Sequence, residues 1–152
     1  MAKINLGIVV SEFNYDVTHL MLEKALQHAK FLDADVVYVV KVPGAFDIPI
    51  AVQNLLVRDD VDAVVALGTV IQGATKHDEI VAQHCSRKLV DLSLQHNKAV
   101  ALGVSGPGIN RVQALERVEE YARRSVEAAV KLTRRVKEIK GVKKGTGTLT
   151  IE

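Results

Sequence analysis

Four stretches of nearly unbroken apolar sequence punctuate the chain: Ile4 to Val10, Asp35 to Val42, Ala63 to Leu67 and Ala99 to Val104. Such runs predict strands buried on both faces, as in a parallel sheet covered on both sides, because a one-sided antiparallel sheet would alternate apolar and polar residues. Between and after them, apolar residues recur every three or four positions. Val17, Leu20, Met21, Ala25, Ala29 and Leu32 form one helical stripe, with Asn14 or Asp16 as the N-cap. A shorter helix is expected from about Phe46 to Val57, with Pro49 in its first turn. A third spans His77 to His96, with Val81, Cys85, Leu89 and Leu92 on one face. The longest carries Leu115, Val118, Ala122, Val126, Ala129, Thr133 and Val136. Strand then helix, four times over, predicts right-handed crossovers and an α/β three-layer sandwich: a four-stranded parallel sheet between two layers of helices. Residues 1–140 read as a single domain without repeat or linker. Over 141–152 Gly, Lys and Thr take over and periodicity stops, which reads as a flexible tail rather than a short strand over 148–151.

Composition narrows the function classes. A chain of 152 residues is one domain's worth, and 48% hydrophobic with 25% charged residues excludes a disordered, collagen-like or disulfide-scaffold protein. One Cys cannot form an internal bridge, there is no signal-peptide pattern at the start, and no apolar run is long enough to span a bilayer. The expectation is a soluble cytoplasmic protein without membrane contact. The formal charge of +2 is small. In the last helix Arg123, Arg124, Lys131, Arg134 and Arg135 are interleaved with Glu119, Glu120 and Glu127, so that face reads as solvated or inter-subunit surface and no nucleic-acid partner is expected. Neither HExxH nor CxxC spacing occurs, and no metal is expected. Aromatics are only 4%, with no Trp, yet two of the three Phe residues, Phe13 and Phe46, lie just beyond strands.

That placement matters because open parallel sheets bind ligands beyond the carboxyl ends of their strands. The segments there are Ser11-Glu12-Phe13-Asn14, Pro43-Gly44-Ala45-Phe46-Asp47-Ile48-Pro49, Gly68-Thr69-Val70-Ile71-Gln72-Gly73-Ala74-Thr75-Lys76-His77 and Ser105-Gly106-Pro107-Gly108. The third is a glycine-bearing loop that leads from a buried strand into a helix. The backbone N–H groups of such a helix start attract anions, phosphate above all, and the Thr75 hydroxyl adds a donor; a plain turn with an N-cap is the alternative. The glycine and lysine spacings of a P-loop or a dinucleotide fingerprint are absent. His77, where loop meets helix, could shuttle protons beside a bound anion or simply begin the helix.

Together these segments, with Glu116-Arg117, resemble the lumazine synthase family of riboflavin biosynthesis, in its shorter archaeal form, from about Leu6 to Val136. The resemblance implies a flavodoxin-like fold. It also implies a reaction in which 5-amino-6-ribitylaminouracil condenses with 3,4-dihydroxy-2-butanone 4-phosphate to 6,7-dimethyl-8-ribityllumazine, losing phosphate and water, with no cofactor or metal. By position, Phe13 would stack on the pyrimidine. Ala45, Phe46 and Asp47 would meet the ribityl chain and ring, and Thr69, Val70 and Ile71 would line the ring's polar edge. Leu102 would form an aliphatic wall. Ala74 and Thr75 would hold the phosphate, Arg117 would neutralise it from a neighbouring subunit, and His77 would relay protons. The family forms pentamers, some assembled into icosahedral shells of sixty, with the site between neighbours.

Three positions depart from the family pattern. Asp47 stands where many members have Glu, Leu102 where Phe is frequent, and Tyr121-Ala122-Arg123-Arg124-Ser125 where bacterial members carry a Lys and a glycine kink. Other readings remain open at this level. An archaeal riboflavin synthase paralogue would need no phosphate site. A non-catalytic flavin-binding shell protein could share the scaffold. A receiver-type signalling domain would need an acceptor Asp after strand three, where Gly68-Thr69 stands.

Overall fold

A computed structural model describes residues 2–152. Strand β1 (Asn5–Ser11) pairs in parallel with β2 (Asp35–Val42) on one side and β3 (Ala63–Ile71) on the other, and β3 pairs in parallel with β4 (Ala99–Ile109), giving the order β2-β1-β3-β4. Helix α1 (Tyr15–Phe31) follows β1, a single 3-10 turn (Ala45–Asp47) and α2 (Ile48–Leu56) follow β2, and α3 (His77–His96) follows β3. Beyond β4 come the short α4 (Arg111–Glu116) and the long α5 (Val118–Gly141).

The period of two along each central strand divides the core. Leu6, Ile8 and Val10 of β1, with Val65 and Leu67 of β3, pack against Val17, Met21 and Ala25 of α1 and Ala122, Val126 and Ala129 of α5. Val9, Val64 and Ala66 face the other way, onto Ile48, Val52 and Leu55 of α2 and Ala82, Cys85 and Leu89 of α3. Each alternate side chain is therefore buried by a different helix layer, which is why the strands read as continuous apolar runs. Small residues set the spacing. A Cβ on Gly103 would come within 2.8 Å of Ser125 Oγ, Leu67 Cδ2 and the Ala66 carbonyl, so α5 lies close against β4 only because that atom is absent.

The expected sandwich and the exact span of α3 are both observed, and several local readings are corrected. β2 is not buried on both faces: it is an edge strand, with Val37 39% and Val39 41% exposed, so its apolar run reflects strand propensity as much as burial. Strands β3 and β4 run on to Ile71 and Ile109, because Thr69 pairs with Ser105 and Ile71 with Ile109 across a bulge. The last helical stripe is broken at Arg117, which ends α4 and begins α5, and Leu115 is exposed rather than buried. The capping box between Asn110 and Gln113 starts the separate short helix. Beyond Gly141 the chain carries neither helix nor strand. Among the described residues no helix is long and apolar enough to cross a membrane.

At the open edge, a charged cluster ties the loop after α2 to β2. Arg58 Nε and Nη2 donate to the two Asp60 oxygens at 2.9 and 3.1 Å, the Tyr38 hydroxyl donates to Asp60 Oδ2 at 2.5 Å, and the guanidinium stands 4.8 Å from the Tyr38 ring centroid. The Arg58 fork first, and the Tyr38 hydroxyl second, hold the Asp60 carboxyl down from 3.8 to about 2. A carboxylate depressed in the folded state stabilises it above the unfolded-state pKa, and that contribution is lost as pH falls through the folded value. The difference in thermal midpoint between wild type and Asp60→Asn should therefore be small, in keeping with a surface ion pair, steady above about pH 4, and should vanish towards pH 2. A difference that persists unchanged at pH 2 contradicts this account.

Candidate active site

In the strand order β2-β1-β3-β4 the chain leaves β1 towards one edge and β3 towards the other, so the crevice between their carboxyl ends is the sheet's switch point. A cleft of about 400 Å³ opens there, lined by Phe13 and Asn14 after β1, Gly44, Ala45 and Phe46 after β2, Thr69, Val70 and Ile71 of β3, Gly73 and Thr75 of the following loop, and His77, Asp78 and Val81 of α3. It is of ligand size and largely apolar, with a few polar groups from Asn14, Thr69, Thr75, His77 and Asp78.

Each wall has a local cause. Glu12 N and Phe13 N donate to the carbonyls of Val42 and Pro43 at 2.7 and 2.9 Å, so pairing of the two chain segments continues past the end of the sheet and presents Phe13, 71% exposed, over the cleft. The Asp47 carboxylate accepts from Gly44 N at 2.9 Å and closes the 3-10 turn that displays Phe46, 63% exposed. Thr69, Val70 and Ile71 belong to a strand rather than a loop, and the buried Ser105 hydroxyl donates to Thr69 Oγ1 at 2.8 Å. This stiffens the floor.

The start of α3 is different. No side chain caps it from Lys76, and the nearest approach is a long 3.4 Å contact from His77 N to Thr75 Oγ1. A twenty-residue helix thus offers backbone donors, uncapped, at the mouth of the cleft, beside Thr75, Lys76 and His77. Asp78, 7% exposed, is turned aside: its Oδ2 accepts from Gly108 N at 3.0 Å and anchors the end of β4 to the start of α3. Cys85 belongs to the core between α2 and α3. Burial pushes its thiol up to about 11, so it stays protonated and unreactive near neutral pH.

Of the residues expected from sequence, Phe13, Ala45, Phe46, Thr69, Val70, Ile71, Thr75 and His77 meet in this cleft. Ala74 lies exposed on the loop, between two residues that line it. Asp47 sits at the rim with its carboxylate engaged in the turn. Leu102 and Arg117 lie elsewhere, in a second depression lined also by Glu120, Tyr121, Arg124, Ser125 and Ala128. Among the described residues no carboxylate lies within ion-pair distance of Arg117, whereas Arg124 donates to Glu120 at 2.7 Å. Sequence reasoning missed Asp78, Ser105 and the side-chain role of Asn14. Their partners lie 30, 36 and 55 residues away, and no local pattern announces them.

The profile of the family described as 6,7-dimethyl-8-ribityllumazine synthase matches residues 3–137. This chain belongs to the 6,7-dimethyl-8-ribityllumazine synthase family. A relative of that name from Pyrobaculum calidifontis is 64% identical over 98% of this chain and 99% of its own length. Another from Staphylothermus marinus is 60% identical over the whole of both chains, and one from Methanothermobacter thermautotrophicus is 59% identical over 91% of this chain and 99% of its own.

In this lumazine synthase family member the bulge of β3 against β4 is what lets Thr69 to Ile71 end at the cleft. Gly106 has φ +100°, and a Cβ there would collide with the Val70 carbonyl oxygen and lie 3.1 Å from its carbon. Gly106→Ala combines a positive φ with a backbone clash and should cost about 2–4 kcal/mol of stability. Denaturant unfolding measures it, and a variant within about 0.5 kcal/mol of wild type, the range of an ordinary surface change, contradicts the assignment.

Proposed function

We propose that this chain is a 6,7-dimethyl-8-ribityllumazine synthase, a transferase that condenses 5-amino-6-ribitylaminouracil with 3,4-dihydroxy-2-butanone 4-phosphate. The observation that carries the reading is the union, in one cleft, of two exposed Phe rings with an uncapped helix start flanked by Thr75 and His77. The rings suit a flat heterocycle, and the helix start in the same cleft suits a phosphate.

The chemistry divides accordingly. Phe13 stacks on the pyrimidine, and the backbone of Thr69 to Ile71 meets its polar edge. Ala45 and Phe46 flank the ribityl chain, with Asp47 at the rim where its carboxylate must leave Gly44 N or share it. The Gly73–Thr75 loop and α3 N–H groups take the phosphate, with Ala74 contributing backbone. The pyrimidine amine attacks the ketone, and water leaves as the imine forms. Phosphate departs, and closure of the second ring releases a further water. His77 stands beside the phosphate loop, where it can take a proton from the attacking amine and return one to a departing oxygen. Holding both substrates in contact is the larger effect, since such proximity supplies roughly 7–11 kcal/mol. His77→Ala should lower the single-turnover rate by about 10²–10⁴, followed by lumazine absorbance with both substrates present. A loss under tenfold sinks the proton relay, and formation of riboflavin from lumazine alone, with none from the two substrates, sinks the reading in favour of the riboflavin synthase paralogue.

Arg117 and Leu102 lie outside the cleft, and they complete it if a second copy brings its depression over the first copy's cleft. Head-to-tail contact of two different patches generates a ring where the rotation between copies closes, consistent with a homopentamer, alone or within a sixty-subunit shell. Exposed Ile50 on α2 and Ile80, Val90 and Leu94 on α3 supply apolar surface for such contacts. Arg117, without a carboxylate partner, would then meet the phosphate. Mixing His77→Ala with Arg117→Met subunits after unfolding and reassembly should restore activity at roughly a quarter of the sites, because a head-to-tail site draws its two halves from different chains. Mixtures as inactive as the separate variants contradict a shared site.

A further inference from the structure

Asn14 occupies the N-cap of α1 and does not cap it with its side chain. An Asn there ordinarily accepts from an N–H of the first turn. Here the residue is left-handed, φ 62° and ψ 47°, a conformation Asn tolerates better than other residues with a Cβ. Val17 N and Thr18 N reach only its backbone carbonyl, at 2.9 and 3.0 Å. The side-chain amide is turned across the switch point instead. Its Nδ2 donates to the Thr69 carbonyl at 3.2 Å, and its Oδ1 accepts from Arg111 Nη2 at 3.0 Å. Nη1 of the same guanidinium grips both Asp16 oxygens, at 2.6 and 2.7 Å. Arg111 is the first residue of α4, and the Asn110–Gln113 capping box fixes its backbone, through bonds of 2.8 and 3.0 Å.

We infer that Arg111 is a positioning residue for the pyrimidine half of the cleft, acting through Asn14. The inference rests on the function proposed above. An amide has two N–H groups and two lone pairs on oxygen. Thr69 takes one of the former and Arg111 one of the latter, and the two partners agree on a single orientation of the group. One donor and one acceptor remain for an occupant of the cleft that Asn14 lines next to Phe13. A free amide donor and acceptor suit the carbonyl and N–H groups on the edge of a uracil. Asp16 holds the guanidinium through Nη1, and the planar group fixes Nη2 relative to it, facing Asn14, where a Lys would be a mobile point charge. The helix cap is left unmade and a residue 97 positions along the chain is used to orient one amide, an arrangement that folding of α1 alone does not require.

The test measures binding of 5-amino-6-ribitylaminouracil and, separately, of inorganic phosphate by calorimetry, on wild type, Arg111→Met, Asn14→Ala and the double variant, with thermal midpoints and lumazine formation alongside. Arg111→Met should weaken pyrimidine binding about tenfold, the loss of one well-oriented polar contact, and leave phosphate binding within about twofold. In the Asn14→Ala background it should change pyrimidine binding by less than about twofold, because a residue that acts through another has no effect once that other is gone. Unchanged pyrimidine affinity, equal loss for both ligands, or an additive double variant overturns the inference. If Arg111→Met does not fold, Arg111→Lys, which keeps the charge opposite Asp16, should recover the thermal midpoint and still bind pyrimidine weakly; full recovery of both overturns it. Failure of wild type to make lumazine would instead count against the proposed function, and the binding ratios would still decide the role of Arg111.

Discussion

Everything in this molecule depends on β1 being paired in parallel on both sides. Parallel pairing sends all four carboxyl ends to one edge of the sheet and obliges every connection to return through a helix, so both faces are covered and the strands must be small and aliphatic. Because β1 leads outward to β2 while β3 leads outward to β4, the helices that follow β1 and β3 pack on opposite faces of the sheet, α1 on one and α3 on the other. The gap between those two ends is therefore open without any element having to be displaced to make it. The cleft follows from the topology, and its chemistry from the few residues the chain places at those ends.

Those few residues were largely legible in the sequence, because strand ends are short, polar and set off from apolar runs. Phe13 and Phe46 stood out in a chain with three Phe and no Trp. His77 stood out as the last residue of a glycine-bearing loop. What could not be read was which loops were loops. Gly68 to Ile71 carries Gly and Thr and looks like a turn, yet it is strand, because β4 continues beside it and Gly106 fits against Val70. Propensity gave way there to pairing with a partner more than thirty residues away. The same holds for Asp78, which as an acidic residue in the first turn of a helix reads as a partner of the helix dipole. Its actual acceptor role, towards Gly108 N, depends on the long-range course of β4. Arg117, a single residue separating two helices, marks a break that an apolar stripe of matching period conceals.

The distribution of functional groups follows from how little material one domain offers. The α1 and α5 layer is fully committed to the core by Ala122, Val126 and Ala129. Arg117 and Arg124, on its polar side, line a separate depression and not the cleft at the switch point. With Arg111 already engaged by Asp16 and Asn14, a cation for the proposed phosphate at α3 would come from the α3 loop itself, at Lys76, or from another molecule. A head-to-tail ring meets that need without lengthening the chain, since the patch bearing Arg117 and the patch bearing His77 are different surfaces of the same subunit.

The uncapped ends at the cleft point the same way. Two helices, α1 and α3, begin at the switch point, and neither is capped by the side chain at its N-cap position. Each cap is ordinarily a gain of about 1 kcal/mol, so a stable fold has reason to make both. At α3 the donors are left open, which an anion can satisfy with greater effect than a neutral hydroxyl, because the ligand is charged and the helix dipole adds to the hydrogen bonds. At α1 the available Asn side chain is spent on orientation across the sheet. Side-chain caps are missing at α2 and α5 as well, so it is the position of the α1 and α3 starts beside the cleft, rather than the omission itself, that offers their groups to a ligand. An anion bound at the α3 start would satisfy those backbone donors and stabilise the folded state in proportion to its affinity.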